Sequence, residues 1–437
     1  MIRNEDAQFS WDEFSSRVTH YKEKFSGTKG DELILLSADL GLDFFAAILG
    51  LSEIGVAFAP VENYAPDTLQ QAGQIFGSSE ITMKHKIYVL SLNSPLTSGS
   101  CVLFTSGSSG VPKAIVHKAK SLVLNAKATL SKTKISRHDR LFVCQRYHFT
   151  SAICHFLSAY LSGASIYLSK TNLMPKDYIS AINWWRPTVC GGSPLQLAWI
   201  ARSSLHVNGS VERFFSSGDD LAEEIGFDLL ERFPAARIFS AYGLTEVSGR
   251  GCMLVLERGR KLVSVGRPIL GLEIRVASSD EGGFGEIYYG GDYLYEGIYQ
   301  GGLYRKRFGS EIATGDIGFF DDDGDLNIVG RNDDVYKISG KKVSGLSIAR
   351  ALKSISCVND AHVIFEKDVL VGHVACAYVS LKEPCSRRFI LSKLRDRLPN
   401  SSMPQQLYQI EEIPRSGAGK ILRKKFYDLS NSATSLS

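Results

Sequence analysis

The sequence predicts an α/β protein with a large N-terminal domain of βαβ units and a small β region, followed by a small α+β C-terminal domain. Its 437 residues exceed what a single hydrophobic core usually accommodates, so two unequal domains are expected. From Asp31 onward, short apolar runs alternate with helical patterns, as is typical of βαβ units. After about Gly259 short glycine-rich strands follow instead. We therefore predict a large domain over 1–331 and a small domain over 332–437.

The large domain is predicted element by element from this alternation. Each strand is a short run of apolar, β-branched or aromatic residues, and helical patterns separate the strands. The predicted strands cover 33–36, 56–58, 141–144, 165–168, 188–190, 213–216 and 237–240, and helical patterns cover 44–54 and 152–161. Stacked βαβ units, and hence a large α/β domain, follow from this order.

The small β region and the C-terminal domain have different patterns. Residues 285–290 form a glycine-flanked strand pattern, and the turn 321–325 separates two apolar runs at 319–320 and 326–329, which predicts a hairpin. Beyond 330–333 a new α+β pattern begins that is long enough for a separate domain.

The charge of the chain excludes little but has a clear distribution. A net charge of +4 is too small to indicate nucleic acid binding. Basic residues concentrate near the C-terminus, in 420–425, which suits a phosphate-rich ligand or an acidic partner. A solvated basic helix face explains any single one of these residues equally well.

The cysteines and the N-terminus indicate the compartment. The eight cysteines include no C-x-x-C pair, so we expect reduced thiols in a cytoplasmic protein and no structural zinc. The N-terminus is charged and lacks an apolar signal region, and the apolar run 44–51 is too short to span a bilayer. We expect a soluble protein without a membrane span.

The segment 104–113 is rich in glycine and hydroxyl residues and ends in a lysine. It follows the apolar run 101–104, which we interpret as a buried parallel strand, so the loop is expected at the carboxyl edge of a sheet. Glycines allow close approach to a polyanion, and hydroxyls donate to phosphate oxygens. The predicted nucleotide-binding residues are Thr105, Ser106, Gly107, Ser108, Ser109, Gly110 and Lys113.

The sequence of this loop allows two other interpretations. A Walker A loop requires glycine next to lysine, whereas Val111 and Pro112 separate them here, which argues against a phosphotransferase that releases ADP. A flexible Ser/Gly linker is the other alternative.

Four further segments also contain residue types that suit phosphate and ribose binding. They cover 241–246, 313–316, 330–334 and 414–423. Together with the loop, and in this order, they resemble the adenylate-forming superfamily of acyl-CoA synthetases, peptide-synthetase adenylation domains and luciferases. The resemblance implies an AMP-dependent acid–thiol ligase whose large domain forms the adenylate and whose small C-terminal domain is mobile. A carboxylate attacks the α-phosphate of ATP to give an acyl-adenylate and pyrophosphate, and a thiol then displaces AMP.

The resemblance assigns roles to residues of the large domain. Glu246 is expected to bind Mg²⁺, since hard cations prefer carboxylate oxygen. Alternatively, Glu246 stands at the start of a helix because the helix dipole favours a negative charge there. Tyr242 is assigned to the adenine, Gly243 to the nucleotide site in general, Thr245 to the α-phosphate, Asp316 to the ribose diol and Arg331 to the ribose or phosphate. A turn aspartate and a surface salt bridge are the alternatives for the last two.

In the small domain, the resemblance assigns Lys420 to bridging the acid and the α-phosphate, and Asp333 to the hinge. Lys337 and Gly340 are assigned to the face that admits the thiol. Ser344 and Ser347 stand where family members commonly carry glutamate, which leaves open how firmly the second orientation is held. Ser344 is also a plausible N-cap.

The acid pocket is predicted to contain His148, from the segment 147–149, with a core histidine bonded to a carbonyl as its alternative. Thr150 stands where amino-acid-activating relatives have aspartate, which disfavours an α-amino acid. The other predicted pocket residues are Gly191, Gly192, Ser217, Gly218 and Ala241.

The resulting prediction is a ligase that uses ATP, Mg²⁺ and coenzyme A to activate an aryl or acyl carboxylic acid. One alternative transfers the acyl group to the phosphopantetheine arm of an acidic carrier protein. A non-catalytic nucleotide-binding regulator is the second alternative.

Overall fold

The computed structural model describes residues 1–4, 7–78, 80–93, 96–105, 113–169, 173–257, 264–278, 284–338, 341–368, 372–415, 421–422, 425–426 and 434–435. The chain divides into two compact units. The first comprises Met1–Ile274 and Tyr289–Ile312, and the second comprises Arg275–Tyr288 and Ala313–Ser437.

The strands and helices follow one another along the chain as the alternating pattern predicts. The strands are β1 (Ile2–Arg3), β2 (Gln8–Phe9), β3 (Glu32–Ser37), β4 (Phe58–Val61), β5 (Ile81–Lys84), β6 (Ile87–Ser91), β7 (Ser100–Thr105), β8 (Lys113–Lys118), β9 (Arg140–Val143), β10 (Ser165–Leu168), β11 (Val189–Gly192), β12 (Arg213–Ser217), β13 (Arg237–Leu244), β14 (Gly249–Leu256), β15 (Arg267–Pro268), β16 (Leu272–Ser278), β17 (Gly285–Gly291), β18 (Gly297–Gln300), β19 (Leu303–Lys306), β20 (Glu311–Phe320), β21 (Leu326–Arg331), β22 (Val335–Ile338), β23 (Lys341–Ser344), β24 (Val358–Asp368), β25 (Gly372–Leu381), β26 (Gln406–Gln409) and β27 (Thr434–Ser435). The helices are α1 (Trp11–Lys24), α2 (Leu42–Glu53), α3 (Pro66–Phe76), α4 (Ala119–Thr133), α5 (Thr150–Ser162), α6 (Pro175–Trp185), α7 (Pro194–Arg202), α8 (Glu223–Arg232), α9 (Gly345–Lys353) and α10 (Arg387–Arg395).

The first unit contains a nine-stranded sheet in the order β15-β14-β13-β12-β11-β9-β10-β1-β2. The neighbouring strands β1, β10, β9, β11, β12 and β13 are parallel to one another. Strand β14 runs antiparallel to β13. The strand predicted over 237–240 is longer than expected, because its extension to Leu244 pairs with β14. The carboxyl ends of β9, β11, β12 and β13 therefore meet at one edge, where open α/β sheets bind ligands.

An eight-stranded sheet in the same unit has the order β19-β18-β8-β7-β4-β3-β6-β5. Its strand β7 is parallel to β4, which confirms the prediction of a parallel strand before the glycine-rich loop, and β8 returns antiparallel to it. The strand predicted over 56–58 begins only at Phe58. Gly55 has a φ of 73° and Val56 donates to the carbonyl of Leu51, so helix α2 ends where the strand was expected to start.

The first unit has its core between helices and sheets. Every residue of helix α2 from Phe44 to Leu51 is buried, which explains the apolar run at 44–51. Phe45 of α2 stacks on Phe156 of α5 with ring centres 4.1 Å apart. No helix in the described part of the chain is both long and apolar enough to cross a membrane.

The second unit contains the sheets β16-β17-β20-β21 and β24-β25-β26-β27 and the pair β22-β23. The predicted hairpin around the turn 321–325 is confirmed, since Phe319 pairs with Asn327. Ser344 caps α9 as predicted, accepting a hydrogen bond from the amide of Ser347 at 3.2 Å. Residues 275–288 and 313–331 belong to this compact unit. The predicted mobile domain starts later, at residue 332. Because that boundary describes which part of the chain moves, it stays a prediction.

Candidate active site

The stem of the glycine-rich loop is a closed hairpin. Thr105 ends β7 and faces Lys113, the first residue of β8, in the strand register. The other predicted loop residues, 106–110, lie outside the described residues. The register places the lysine at the base of the loop, as a phosphate-binding role requires.

A short turn after β13 carries the predicted metal ligand. Residues Thr245–Val247 form one 3₁₀ turn, and Oε1 of Glu246 lies 2.9 Å from Nζ of Lys113. Both side chains are partly buried, so the pair combines a carboxylate with a cation where solvent still reaches. One accessible carboxylate fits Mg²⁺ that arrives with nucleotide phosphates, because this ion keeps most of its other ligands from water and phosphate.

The backbone of this turn is held by hydrogen bonds on several sides. Nε2 of His117 lies 2.7 Å from the carbonyl oxygen of Thr245, and the amide of Tyr295 donates to the carbonyl of Glu246 at 3.0 Å. The side-chain amide of Asn125 donates to the carbonyls of Val247 and Arg250. The backbone of the turn that carries Glu246 is therefore held by contacts from β8, from α4 and from Tyr295.

Sequence reasoning missed His117. Burial lowers the pKa of His117 to about 4, against the opposing effects of its hydrogen bond to Thr245 and of the Glu246 charge. The imidazole is thus neutral at neutral pH, with Nε2 donating to the Thr245 carbonyl and Nδ1 3.0 Å from the hydroxyl of Ser248. A sequence signal was present, because Lys113 and His117 are four residues apart on a strand and share a face.

Gly243 has a packing role in addition to the predicted nucleotide contact. It pairs with Arg250 next to a register shift in the β13–β14 hairpin. A Cβ atom at Gly243 would lie 1.8 Å from the carbonyl oxygen of Gly249, so only glycine fits. Its neighbour Tyr242 has its ring 6.4 Å from that of Tyr289.

The predicted ribose residues lie together in the second unit. Nη1 of Arg331 is 3.1 Å from Oδ1 of Asp316 and also donates to the carbonyl of Thr314 at 3.1 Å. Gly315, with a φ of 73°, allows this approach, since a Cβ atom there would be 3.0 Å from Nη2 of Arg331. The arginine, whose side chain is 35% exposed, is therefore the ion-pair partner of the buried Asp316, and its contact with ribose or phosphate remains a proposal.

The predicted acid-pocket residues meet at the carboxyl edge of the nine-stranded sheet. Gly191 pairs with Phe215, Gly192 with Ser216, and Ser217 with Ala241. Gly218 follows directly after β12. Because side chains alternate along strands, Gly191, Ser217 and Ala241 share one face of the sheet.

His148 lies just before α5. Burial, and secondarily the charge of Arg146, lower the pKa of His148 to about 4, so its ring is neutral at neutral pH. Its Nδ1 is buried and has no hydrogen-bond partner among the described residues. The alternative, a core histidine whose ring donates to a backbone carbonyl, would require such a hydrogen bond, and Nδ1 makes none to the described residues.

Four predicted residues have little or no described structure. Lys420 and Gly340 lie outside the described residues. The backbone of Asp333 is in a short turn and that of Lys337 is in β22, but their side chains are not part of the description. The hinge, the bridging lysine and the thiol-facing residues thus stay predictions.

Comparison with known proteins finds similar sequences and a common fold. The family model described as AMP-binding enzyme matches residues 90–299. The chain is 27% identical over 427 residues to a probable nonribosomal peptide synthetase of Salinispora arenicola, covering 92% of this chain but 5% of that protein. It is 23% identical to 2-succinylbenzoate–CoA ligase of Staphylococcus epidermidis, covering 80% of this chain and 74% of the ligase.

Solved structures show the same fold. The o-succinylbenzoate CoA synthetase of Bacillus subtilis, in complex with its acyl-adenylate intermediate, has a TM-score of 0.81 at 18% identity and covers 100% of this chain and 96% of that one. The chain spans only 5 to 17% of the length of several curated peptide synthetases that it matches. The predicted fold class is therefore confirmed.

Proposed function

We propose that this chain, whose residues 90–299 match the family model described as AMP-binding enzyme, is an AMP-forming acid–thiol ligase for a non-amino carboxylic acid. It would form an acyl-adenylate from ATP, release pyrophosphate and pass the acyl group to the thiol of coenzyme A. The observation that carries the proposal is the Lys113–Glu246 pair, which a hydrogen-bonded turn holds beside the carboxyl edge of the sheet.

The first step joins two anions, so charge must be neutralised around the α-phosphate. A carboxylate oxygen of the acid attacks the α-phosphorus, and the bond from that phosphorus to pyrophosphate breaks. Lys113 would contribute a cation at the base of the loop, and Thr245 a hydroxyl from the turn that carries Glu246. Glu246 would hold Mg²⁺, which supplies positive charge to the nucleotide phosphates. Neutral His148 adds no charge that would compete with these groups for the acid.

The second step breaks the mixed anhydride. The thiol sulfur attacks the acyl carbon, the bond from that carbon to the AMP oxygen breaks, and the thiol proton leaves to solvent. Asp316 and Arg331 would hold the ribose, Tyr242 would adjoin the adenine, and Gly243 would contribute to the nucleotide site. Lys420 would bridge acid and phosphate in the first step, and the segment from Asp333 through Lys337 and Gly340 would serve the second after rotation.

Transfer to a carrier protein is the second candidate. The similarity to a peptide synthetase and the basic segment 420–425 favour an acidic partner with a phosphopantetheine arm. Thr150, in place of an aspartate, disfavours an α-amino acid in either case. We place the enzyme in the cytoplasm, since its eight cysteines all lie in the described part of the chain and are free thiols.

Pyrophosphate release from ATP and Mg²⁺, measured across aryl and acyl acids with and without coenzyme A, tests the proposal. Acid-dependent release that turns over repeatedly only with coenzyme A, with AMP as the nucleotide product, is expected. Release limited to one turnover would favour the carrier protein as acceptor. Absence of release with every acid would favour a nucleotide-binding regulator, and ADP as product would contradict the family chemistry.

A further inference from the structure

Arg250 on β14 is a buried arginine without a carboxylate partner among the described residues. Arg250 is only 4% exposed. Nη1 donates to the hydroxyl of Thr129 at 3.0 Å, and Nη2 lies 3.2 Å from Nε2 of His155. The guanidinium lies 5.4 Å from the ring centre of Phe215, and Nε is buried with no hydrogen-bond partner.

This arrangement is costly for the folded protein. Arginine stays protonated in proteins, so the site holds a full positive charge. Burial, and secondarily the charge of Arg250, place the pKa of His155 well below its usual value, so this neighbour is neutral. Burial raises the pKa of Cys154, which is therefore an uncharged thiol. A buried charge that only neutral groups contact costs several kcal/mol in general, unless a further partner arrives.

The charge lies close to residues of the predicted acid pocket. His155 covers Gly191, since a Cβ atom there would be 2.7 Å from its Nε2. Phe215 is paired in register with Gly191, and the next residue of β12 on that face is Ser217. Gln145 at the end of β9 donates to the hydroxyl of Ser217 at 3.3 Å, while its Oε1 is buried and unpartnered. Unsatisfied buried polar atoms of this kind usually mark a place that a polar ligand or water completes.

We propose that Arg250, together with His155, forms an anion subsite at the inner end of the acid pocket, so that the preferred substrate is a dicarboxylic acid. One carboxylate would be activated at the α-phosphate, and the second would be paired with the guanidinium. A guanidinium and a carboxylate match each other in charge and in planar, two-point hydrogen-bond geometry. The inference rests on the proposed function, because it assumes that this edge of the sheet binds the acid.

Matched acid pairs test the substrate class. Pyrophosphate release is compared for butyrate and succinate, hexanoate and adipate, and benzoate and its three dicarboxylic analogues. With wild-type protein, at least one diacid is expected to exceed its monoacid by about 100-fold in kcat/KM, since a site built for a polar group rejects the analogue that lacks it. Preference for the monoacid in every pair would overturn the proposal.

The variant Arg250→Met should remove this preference. The kcat/KM for the diacid is expected to fall by about 100-fold, mainly through KM, while that for the monoacid changes by less than about threefold. Arg250→Lys keeps the charge and should retain part of the preference. Equal losses for both acids in Arg250→Met would mean that the arginine supports the fold or the chemistry and not the choice of acid.

A measurement without catalysis separates this inference from the proposed function. Thermal unfolding is followed for wild type and Arg250→Met with each diacid and monoacid, without ATP. Diacids should raise the melting temperature of wild type only, and unliganded Arg250→Met should melt no lower than wild type. The matched control is Arg213→Met, which removes an arginine that already has a carboxylate partner and should lower the melting temperature without changing diacid binding.

The outcomes of these experiments are distinguishable. Diacid stabilisation that requires Arg250, in a protein that releases no pyrophosphate, would retain the subsite and reject the ligase. Pyrophosphate release without any dependence on Arg250 would retain the ligase and reject the subsite. A melting temperature of Arg250→Met as low as that of Arg213→Met would assign Arg250 a structural role and reject the subsite.

Discussion

Two arginines on the nine-stranded sheet have opposite surroundings. Arg213, the first residue of β12, has Nη1 2.6 Å from Oδ1 of Asp139. The same carboxylate accepts hydrogen bonds from the Thr188 hydroxyl at 2.7 Å and from the Ser136 amide at 2.8 Å. Arg250, on β14 beside the carboxyl end of β13, contacts only neutral side chains among the described residues.

The difference separates two tasks of one sheet. At its amino edge, where β9 and β12 begin, the buried charges satisfy each other. Near its carboxyl edge, buried polar atoms of Gln145, His148 and Arg250 lack partners among the described residues. Perturbed or unsatisfied polar groups concentrate at functional sites, because the ligand completes them. The comparison therefore assigns stability to one edge and chemistry to the other.

Glu246→Gln gives the largest expected effect and tests the chemical edge. The change keeps the size of the side chain but removes the charge that would hold Mg²⁺ and that pairs with Lys113. We expect pyrophosphate release to fall by about 10³-fold, comparable to the loss of one strong electrostatic contact in a transition state. The measurement is a rate series over Mg²⁺ concentration, with thermal unfolding as the control.

If Glu246→Gln unfolded the protein, the carboxyl edge would also be needed for stability, and the assignment of stability to one edge and chemistry to the other would be wrong. An unchanged melting temperature together with the lost rate is the expected combination, because the turn backbone is held by His117, Asn125 and Tyr295 and not by the Glu246 side chain.

Arg213→Met tests the structural edge. The side chain of Asp139 is 7% exposed and would keep a buried charge without its main partner. Removing one member of such a pair costs about 3 kcal/mol or more in the free energy of unfolding. Denaturant unfolding at pH 7 measures the loss, and Arg213→Lys, which keeps the charge, should lose less. A loss below about 1 kcal/mol would contradict the role given to this pair.

The same variant has an expected pH dependence. Burial alone would raise the pKa of Asp139, but hydrogen bonds from Ser136, Thr188 and Arg213 and the arginine charge outweigh it and lower the pKa. The stabilisation is therefore present above the unfolded-state pKa, near 4, and lost as the pH falls through the lower folded-state value. In Arg213→Met the pKa of Asp139 rises, so acid unfolding should begin at a higher pH than in wild type.

Much of the fold could be predicted because its signals are local. The pattern predicted β10 at its observed bounds, and turn residues predicted the hairpin at 321–325. The Ser344 cap followed from one residue and its position before a helix. The exception at Val56 has a local cause too, since a hydrogen bond from its amide extends the end of α2.

The site was predicted only where motifs carry it. Lys113 and Glu246 were named separately, but their ion pair joins residues 133 positions apart, and only the folded chain shows it. Arg250 was missed for the same reason, whereas His117 had a sequence signal, its place on the same strand face as Lys113. The importance of Arg250 comes from the lack of a nearby carboxylate among the described residues, which no sequence pattern expresses. Absence of a partner is a property of the packed structure.

His117→Asn is expected to change the free energy of unfolding less than Arg213→Met does. The pKa of His117 is lowered by burial to about 4, so the unfolded state binds more protons than the folded state between pH 6.5 and 4. Stability is full above pH 6.5 and falls as the pH decreases through this window. From pH 7 to pH 5 this histidine should cost about 2 kcal/mol, at roughly 1.4 kcal/mol for each pH unit below 6.5.

Asparagine does not titrate in this range and can still donate to the Thr245 carbonyl. The variant should therefore lose about 2 kcal/mol less than wild type between pH 7 and pH 5, as measured by denaturant unfolding at both values. Equal losses would show that the imidazole is not held neutral in the folded protein.

The exposed pair Lys22–Glu53 should give the smallest effect and completes the comparison. Nζ and Oε2 are 2.8 Å apart, about as close as the atoms of the Arg213 pair, but the side chains are 37% and 51% exposed. Water and salt screen such charges, so Lys22→Ala should cost less than about 1 kcal/mol. A double-mutant cycle with Glu53→Ala, measured by denaturant unfolding at low and high salt, isolates the pair energy. A coupling as large as the loss in Arg213→Met would mean that distance, and not burial, decides what an ion pair contributes here, and the contrast between the two arginines would then lose its basis.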